Sequence, residues 1–281
     1  MKKIIFALLR YSGLPAFFRE VFQRNSVSVL MFHDMDFKTA EMSFAYLSKH
    51  YNFISLEELI AAIQNTDGSN LPKKAMVITF DDGHIRNYEL LPLFKKYKVP
   101  VTIFLCSGII DTFKHYWFLE DLDKNTLRHL KSIPNEERIS FLKARGFDAE
   151  EEHSDRQALS ADQIDEMAAW VSMQSHTVSH PILSNCVDAE SKWEIAESKS
   201  ALEKKLKKPI KAIAYPNGSF TKREVNFARE AGYQCGLTVK PGFNSIRTDP
   251  FELKRLDPND TSNINELIVK SSGIQSIFSF F

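Results

Sequence analysis

Short, almost unbroken apolar runs recur along the chain, with polar, helix-patterned stretches between them. SVSVLMF (26–32), AMVITF (75–80), VTIFLC (101–106), WVSMQS (170–175), IKAIAY (210–215) and QCGLTV (234–239) are the clear ones, and FELKRL (251–256) reads as a last strand. Runs that are apolar at nearly every position suit strands buried on both faces, as in a parallel sheet. Between them, SLEELIAAIQ (55–64) opens on Ser55 with Glu58 three residues on, a capping-box pair that marks a helix start. Ser160 with Gln163 in SADQIDEMAAW (160–170), and Thr221 with Glu224 in TKREVNFAREAG (221–232), repeat the device, and Gly232 supplies a stop. LLPLFKKYK (90–98) reads as a helix leading through Val99-Pro100 into the next strand. A long helix is expected over 188–207, where the lysine-rich KKLKK suits the negative end of a helix dipole.

Strand–helix alternation repeated six or seven times predicts an α/β fold with a parallel sheet. An open doubly wound sheet and a closed (β/α) barrel share that order. Residues 111–159 break the alternation: they are polar and helix-prone, and they hold Trp117, Phe118 and the acidic AEEEH. They read as an insertion in a strand-to-helix loop, a lid or side wall. The expected organisation is an N-terminal amphipathic helix (1–25), one barrel-like domain (26–260) with the insertion, and a C-terminal segment (261–281).

Composition narrows the partners. Lys+Arg and Asp+Glu are both 36, which argues against a nucleic-acid binder. Cys106, Cys186 and Cys235 show no CxxC spacing, and two of them sit in strand-like runs, so buried free thiols are expected. At the N-terminus, Lys2 and Lys3 before IIFALL imitate a signal peptide, but the apolar run ends at Arg10, and Gly13 and Pro15 follow. That is too short for a secretion signal core and far too short for a membrane span. A basic helix lying on a membrane surface and a helix packed on the domain both fit. The expectation is a soluble or peripheral protein, cytoplasmic or at the inner membrane face. The hydrophobic tail SIFSFF reads equally as a contact segment or as chain tucked onto the domain.

Polar residues with catalytic chemistry follow the apolar runs. His33-Asp34 follows SVLMF, Asp81-Asp82 follows MVITF, and His176 follows VSMQS, with His180 four residues on. Tyr215-Pro216-Asn217-Gly218 follows IKAIA, and Arg255 follows FELK. In parallel α/β folds the strand ends converge on one face, where active sites sit, so a convergent site is expected. Histidines four apart can chelate one ion, although Pro181 disfavours a helical conformation at His180. Two imidazoles and a carboxylate suit a catalytic Zn²⁺ with open positions, and also Co²⁺, Ni²⁺, Fe²⁺ or Mn²⁺. If one aspartate binds the ion, its neighbour can take a proton from water, and the cation offsets the repulsion between the two.

Three stretches carry a resemblance. Thr79-Phe80-Asp81-Asp82-Gly83, His176-Thr177-Val178-Ser179-His180 and Ala214-Tyr215-Pro216-Asn217-Gly218 resemble the motifs of the polysaccharide deacetylases, carbohydrate esterase family 4, or NodB homology family. The resemblance runs from about residue 26 to 257. It implies a distorted (β/α) barrel of about seven parallel strands and metal-dependent removal of acetyl groups from sugars. It implies Asp81 as general base, Asp82, His176 and His180 as metal ligands, and the Tyr215 backbone N–H as oxyanion donor. Many members carry an arginine where Ala214 stands, and Arg255 is the candidate substitute. Many also carry an acid histidine late in the chain, but no histidine follows His180.

A circularly permuted subgroup, the poly-N-acetylglucosamine deacetylases, has that histidine in an N-terminal motif. Phe32-His33-Asp34 and YLSKHYNFISLEEL resemble it, which implies His33 as general acid. Asp34 orients neighbours or caps a turn, His84 is expected as a rim residue, and Trp117 is a packing residue or a sugar-stacking one. The function implied is hydrolysis of an amide bond, releasing the N-acetyl group of a saccharide in a surface polysaccharide, a lipopolysaccharide or its precursor. The alternatives are an inactive carbohydrate-binding barrel or a deacylase for a formyl or O-acetyl group. A His₂-Asp iron oxygenase fits poorly, because its carboxylate normally lies close to the first histidine.

Overall fold

The computed structural model describes residues 2–276. Of the tail SIFSFF all but Ser276 lies outside the described residues. In chain order the elements are α1 (Lys2–Tyr11), α2 (Leu14–Val21), β1 (Val27–Phe32), α3 (Phe37–His50), β2 (Asn52–Phe53), α4 (Leu56–Gln64), β3 (Ala75–Phe80), α5 (Leu91–Tyr97) and β4 (Val101–Leu105). There follow α6 (Lys124–Leu130), α7 (Asn135–Ala144), α8 (Ala161–Met167), β5 (Val171–Ser175), α9 (Asp188–Leu206), β6 (Ala212–Ala214), α10 (Lys222–Glu230), β7 (Cys235–Leu237) and α11 (Ile264–Ser271). The capping boxes at Ser55, Ser160 and Thr221 form as expected.

All the strand pairings within the sheet are parallel, in the order β1-β3-β4-β5-β6-β7, with the short β2 alongside the start of β3. The sheet curls into a distorted barrel, as expected. FELKRL makes no regular strand. It begins in a 3₁₀ turn (Pro250–Glu252), and only Leu253 and Leu256 bridge, to Leu237 of β7 and Leu30 of β1. Leu253 N donates to Gly236 O at 3.0 Å and Leu256 N to Val29 O at 2.8 Å, so this irregular stretch spans the gap between the first and last strands.

Period-two alternation divides the core. Val27, Val29, Ala75, Val77, Phe104, Ala212, Ala214 and Leu237 fill one side with Leu59, Ile60 and Ile63 of α4. Leu30, Phe32, Met76, Ile78 and Phe80 pack on the other with Phe44 of α3 and Phe94 of α5. Both sides are dry, which is why the strand sequences are apolar at nearly every position. All three cysteines are free and buried.

The helix α3 is not among the sequence expectations. Asp36 caps it through Thr39 N, and Ala40, Phe44 and Leu47 are buried at helical spacing. α1 and α2 pack their inner faces, through Phe6, Leu9 and Phe18, on Val269 and Ile274. No helix among the described residues is long and apolar enough to cross a membrane.

Candidate metal centre and active site

The strand ends do converge. Asp81 follows the inward phase of Ala75, Val77 and Thr79, and its N–H still donates to Phe32 O at 2.9 Å. Asp82 turns the chain: its φ is +69° and that of Gly83 is +74°. A Cβ at position 83 would stand 2.6 Å from a Leu105 methyl, so only glycine fits. The turn sends the two neighbouring carboxylates to different partners. On β5 the ladder reaches one residue past the strand, His176 N donating to Leu105 O at 2.8 Å. The segment after it is a loop with left-handed backbone at Thr177 and His180, so the histidine pair is not helical.

Asp82, His176 and His180 are all buried, with ligand atoms within 4.8 Å of one another. Each Nε2 lies 3.4 Å from Asp82 Oδ1. Nδ1 of His176 lies 2.8 Å from the Ala214 carbonyl, which can only accept, so that nitrogen carries the proton and Nε2 turns a lone pair toward the carboxylate. Asp82 Oδ1 is buried without a hydrogen-bond partner. Facing lone pairs repel, and a cation between them removes the conflict. The 3.4 Å separations also match the edge of a tetrahedron with bonds of ~2.0–2.1 Å. These residues therefore fit a divalent metal ion. Burial lowers the His180 imidazole to about 3 despite the pull of Asp82, which keeps it neutral.

Asp81 faces Arg255. The guanidinium binds both carboxylate oxygens, at 2.7 and 2.8 Å, and its Nε donates to Thr238 O at 2.8 Å. Burial pushes the Asp81 carboxyl up, and the Arg255 charge and its hydrogen bonds more than reverse this, so it stays ionised. Asp81 Oδ2 is 4.0 Å from His176 Nε2, beside the three ligand atoms.

His33 stands at the rim with its side chain 37% exposed and its Nδ1 3.5 Å from Asp260 Oδ2. Asp260 also accepts from the N–H of His33, at 3.1 Å, and of Asp34. Asn87 donates to His33 O at 2.8 Å. Desolvation would lower the imidazole, but Asp260, and behind it Asp82 and Asp81, raise it to about 9. The Asp34 carboxylate pairs instead with Arg86, at 2.7 and 2.6 Å.

Two expectations at the site are corrected. The Tyr215 backbone N–H is not available to an oxyanion, because it continues the β6–β7 ladder to Leu237 O at 3.1 Å. The Tyr215 ring is fully buried, stacked on Phe220, with its hydroxyl donating to Phe251 O. His84, expected at the rim, is buried with Nε2 3.3 Å from Asp82 Oδ2. Trp117 is packed rather than open to a sugar. Arg138 covers its ring, and its Nε1 donates to His180 O at 2.9 Å. Its neighbour Tyr116 donates to Asp82 O at 2.5 Å, so 111–159 braces two of the three ligand residues from behind.

Sequence reasoning passed over Asp260, Asn87, Tyr116 and Glu194. From α9, Glu194 accepts from the N–H groups of Val178 and Ser179 at 2.7 and 3.0 Å and from the Ser179 hydroxyl, fixing the loop between the histidines. Its signal is an acid on the buried stripe Ser191, Ile195, Ser198, Leu202 of that helix.

The family model for polysaccharide deacetylases matches residues 68–236. The chain is 26% identical over 198 residues to YxkH of Bacillus subtilis, a protein named as an inferred polysaccharide deacetylase. That match covers 70% of this chain and 56% of YxkH, so the chain spans little more than half of that relative. The structure is similar to that of the Streptococcus pyogenes deacetylase PplD in complex with acetate. The TM-score is 0.64 at 23% identity, covering 88% of this chain and 99% of that one. It is also similar to IcaB from Ammonifex degensii, with a TM-score of 0.62 at 17% identity, covering 89% and 98%.

Proposed function

The chain belongs to the polysaccharide deacetylase family, and on that premise we propose that it hydrolyses the N-acetyl group of a saccharide in a surface polysaccharide, a lipopolysaccharide or its precursor. The observation that carries this is the Asp82–His176–His180 cluster standing beside the Asp81–Arg255 pair. A divalent cation, Zn²⁺ first by donor set, held by Asp82, His176 and His180, supplies a Lewis acid and makes water acidic enough to lose a proton near neutral pH.

The residues divide the remaining work. Asp81 accepts the proton of the attacking water, and Arg255 keeps its carboxylate ionised and aimed. His33, protonated and oriented by Asp260, delivers a proton to the leaving amine as the C–N bond breaks. Acetate and a free amine result, and the amine adds positive charge to the glycan. In this reading the place of action is the cytoplasm or the inner membrane face.

The test is acetate release from an N-acetylglucosamine oligosaccharide by protein stripped of metal and reloaded with Zn²⁺. Release that depends on the added ion and stops with a chelator is expected. A metal-loaded protein that releases formate or O-linked acetate but no N-linked acetate overturns the reading, as does one that binds the sugar without hydrolysis.

A further inference from the structure

We propose that the outward face of α1 and α2 adsorbs to an anionic lipid bilayer. Both helices are docked by their inner faces, and Arg10 adds a bond to Asn265 Oδ1 at 2.8 Å, so which face looks outward is fixed. On α1 that face carries Ile4, Leu8 and Tyr11, which are 67, 69 and 78% exposed. On α2 it carries Leu14, Phe17 and Val21, with Phe22 following. The spacings are those of one helical stripe in each case. A helix packed on its domain ordinarily turns polar residues to water, whereas these two are apolar inside and outside, with their charges at the flanks.

The charge of this region identifies the occupant. Residues 1–25 hold five basic side chains, Lys2, Lys3, Arg10, Arg19 and Arg24, against one acid, Glu20, although the whole chain is balanced. Lys2, Lys3 and Arg24 are exposed and have no acidic partner among the described residues. A second copy would bring the same positive surplus against this one, and a nucleic acid offers nothing to cover Ile4, Leu8 or Phe17. Anionic headgroups over acyl chains accept both the cations and the apolar stripe.

Flotation of the whole protein with phosphatidylcholine vesicles, with and without phosphatidylglycerol, tests this. The protein is expected to float with the anionic vesicles, to leave them at high salt, and to stay behind with phosphatidylcholine alone. Leu8→Glu with Phe17→Glu, and separately Lys2→Glu with Lys3→Glu, are expected to weaken partitioning at least about tenfold. Acetate release from a soluble oligosaccharide stays unchanged in both. The proposal is overturned by a wild-type protein that remains unbound on anionic vesicles. It is equally overturned by a concentration-dependent dimer that Leu8→Glu/Phe17→Glu splits, which gives the face to a second copy. Flotation reads no catalysis, so failure here and failure of the deacetylase reading are separate results.

Discussion

Replacing Arg255 by methionine removes both donors from Asp81 while keeping much of the stem's volume. The pair is buried on both sides, Arg255 being 1% and Asp81 3% exposed. Unit charges ~4 Å apart at an effective dielectric of ~20 attract by about 4 kcal/mol. Removing one partner of such a pair costs about 3–5 kcal/mol, because the other charge is stranded. Arg255→Met is expected to lose that much in denaturant unfolding at pH 7. Changing Asp81 to asparagine as well removes the stranded charge, so the double variant is expected to be more stable than Arg255→Met alone.

The same pair sets a pH dependence. The wild-type carboxyl is depressed, so its contribution to stability is present above the unfolded value, about 4, and is lost as pH falls through the folded one. Without Arg255, burial dominates and raises the carboxyl. The stability gap to wild type then narrows as the pH is lowered, and the acid limb of acetate release moves to higher pH. Additive losses in the double variant together with an unmoved acid limb would refute the reasoning.

Three further outcomes follow from the site. His33, raised to about 9, must be protonated to act as an acid, so activity falls as pH rises through its folded value; a bound cation offsets Asp82 and brings this alkaline limb below 9. Asp260→Asn is expected to move that limb down toward the ordinary histidine value of about 6.5, and an unmoved limb in a pH–rate profile removes Asp260 from the mechanism. Glu194→Ala, which frees the loop between the histidines, is expected to weaken Zn²⁺ affinity about 10–100-fold in competition with a chromophoric chelator, with turnover recovered at excess metal; unchanged affinity contradicts the anchoring role. Tyr116→Phe strips the donor from the buried Asp82 carbonyl and is expected to cost about 1–3 kcal/mol of stability, read by thermal or denaturant unfolding, while a neutral effect means that carbonyl finds another partner.

The strands were legible because both their faces are dry, so apolar runs marked them directly, and a capping box gave three of the helix starts. FELKRL misled by composition: its residues close the barrel through two bridges and a 3₁₀ turn, a geometry no periodicity encodes. Helix α3 escaped because its apolar face is narrow and its cap, Asp36 with Thr39, lacks the glutamate or glutamine of a capping box. At the site, the rule that polar residues at strand ends converge brought Asp81, Asp82, His176, His180, His33 and Arg255 to one mouth. It could not say that Tyr215 spends its N–H inside the sheet, since ladder length is set by the neighbouring strand. Nor could it find Asp260, Glu194 or Tyr116, which lie on a loop, a helix and the insertion and meet the site only through tertiary packing.

The division of labour between the two adjacent aspartates is the centre of the account, and Asp81→Asn tests it most directly. Metal content and acetate release are measured on the same preparation. The account predicts one Zn²⁺ per chain, bound as in the wild type, with turnover lower by at least about a hundredfold. A variant that hydrolyses at the wild-type rate, or one that loses the ion along with activity, would contradict it.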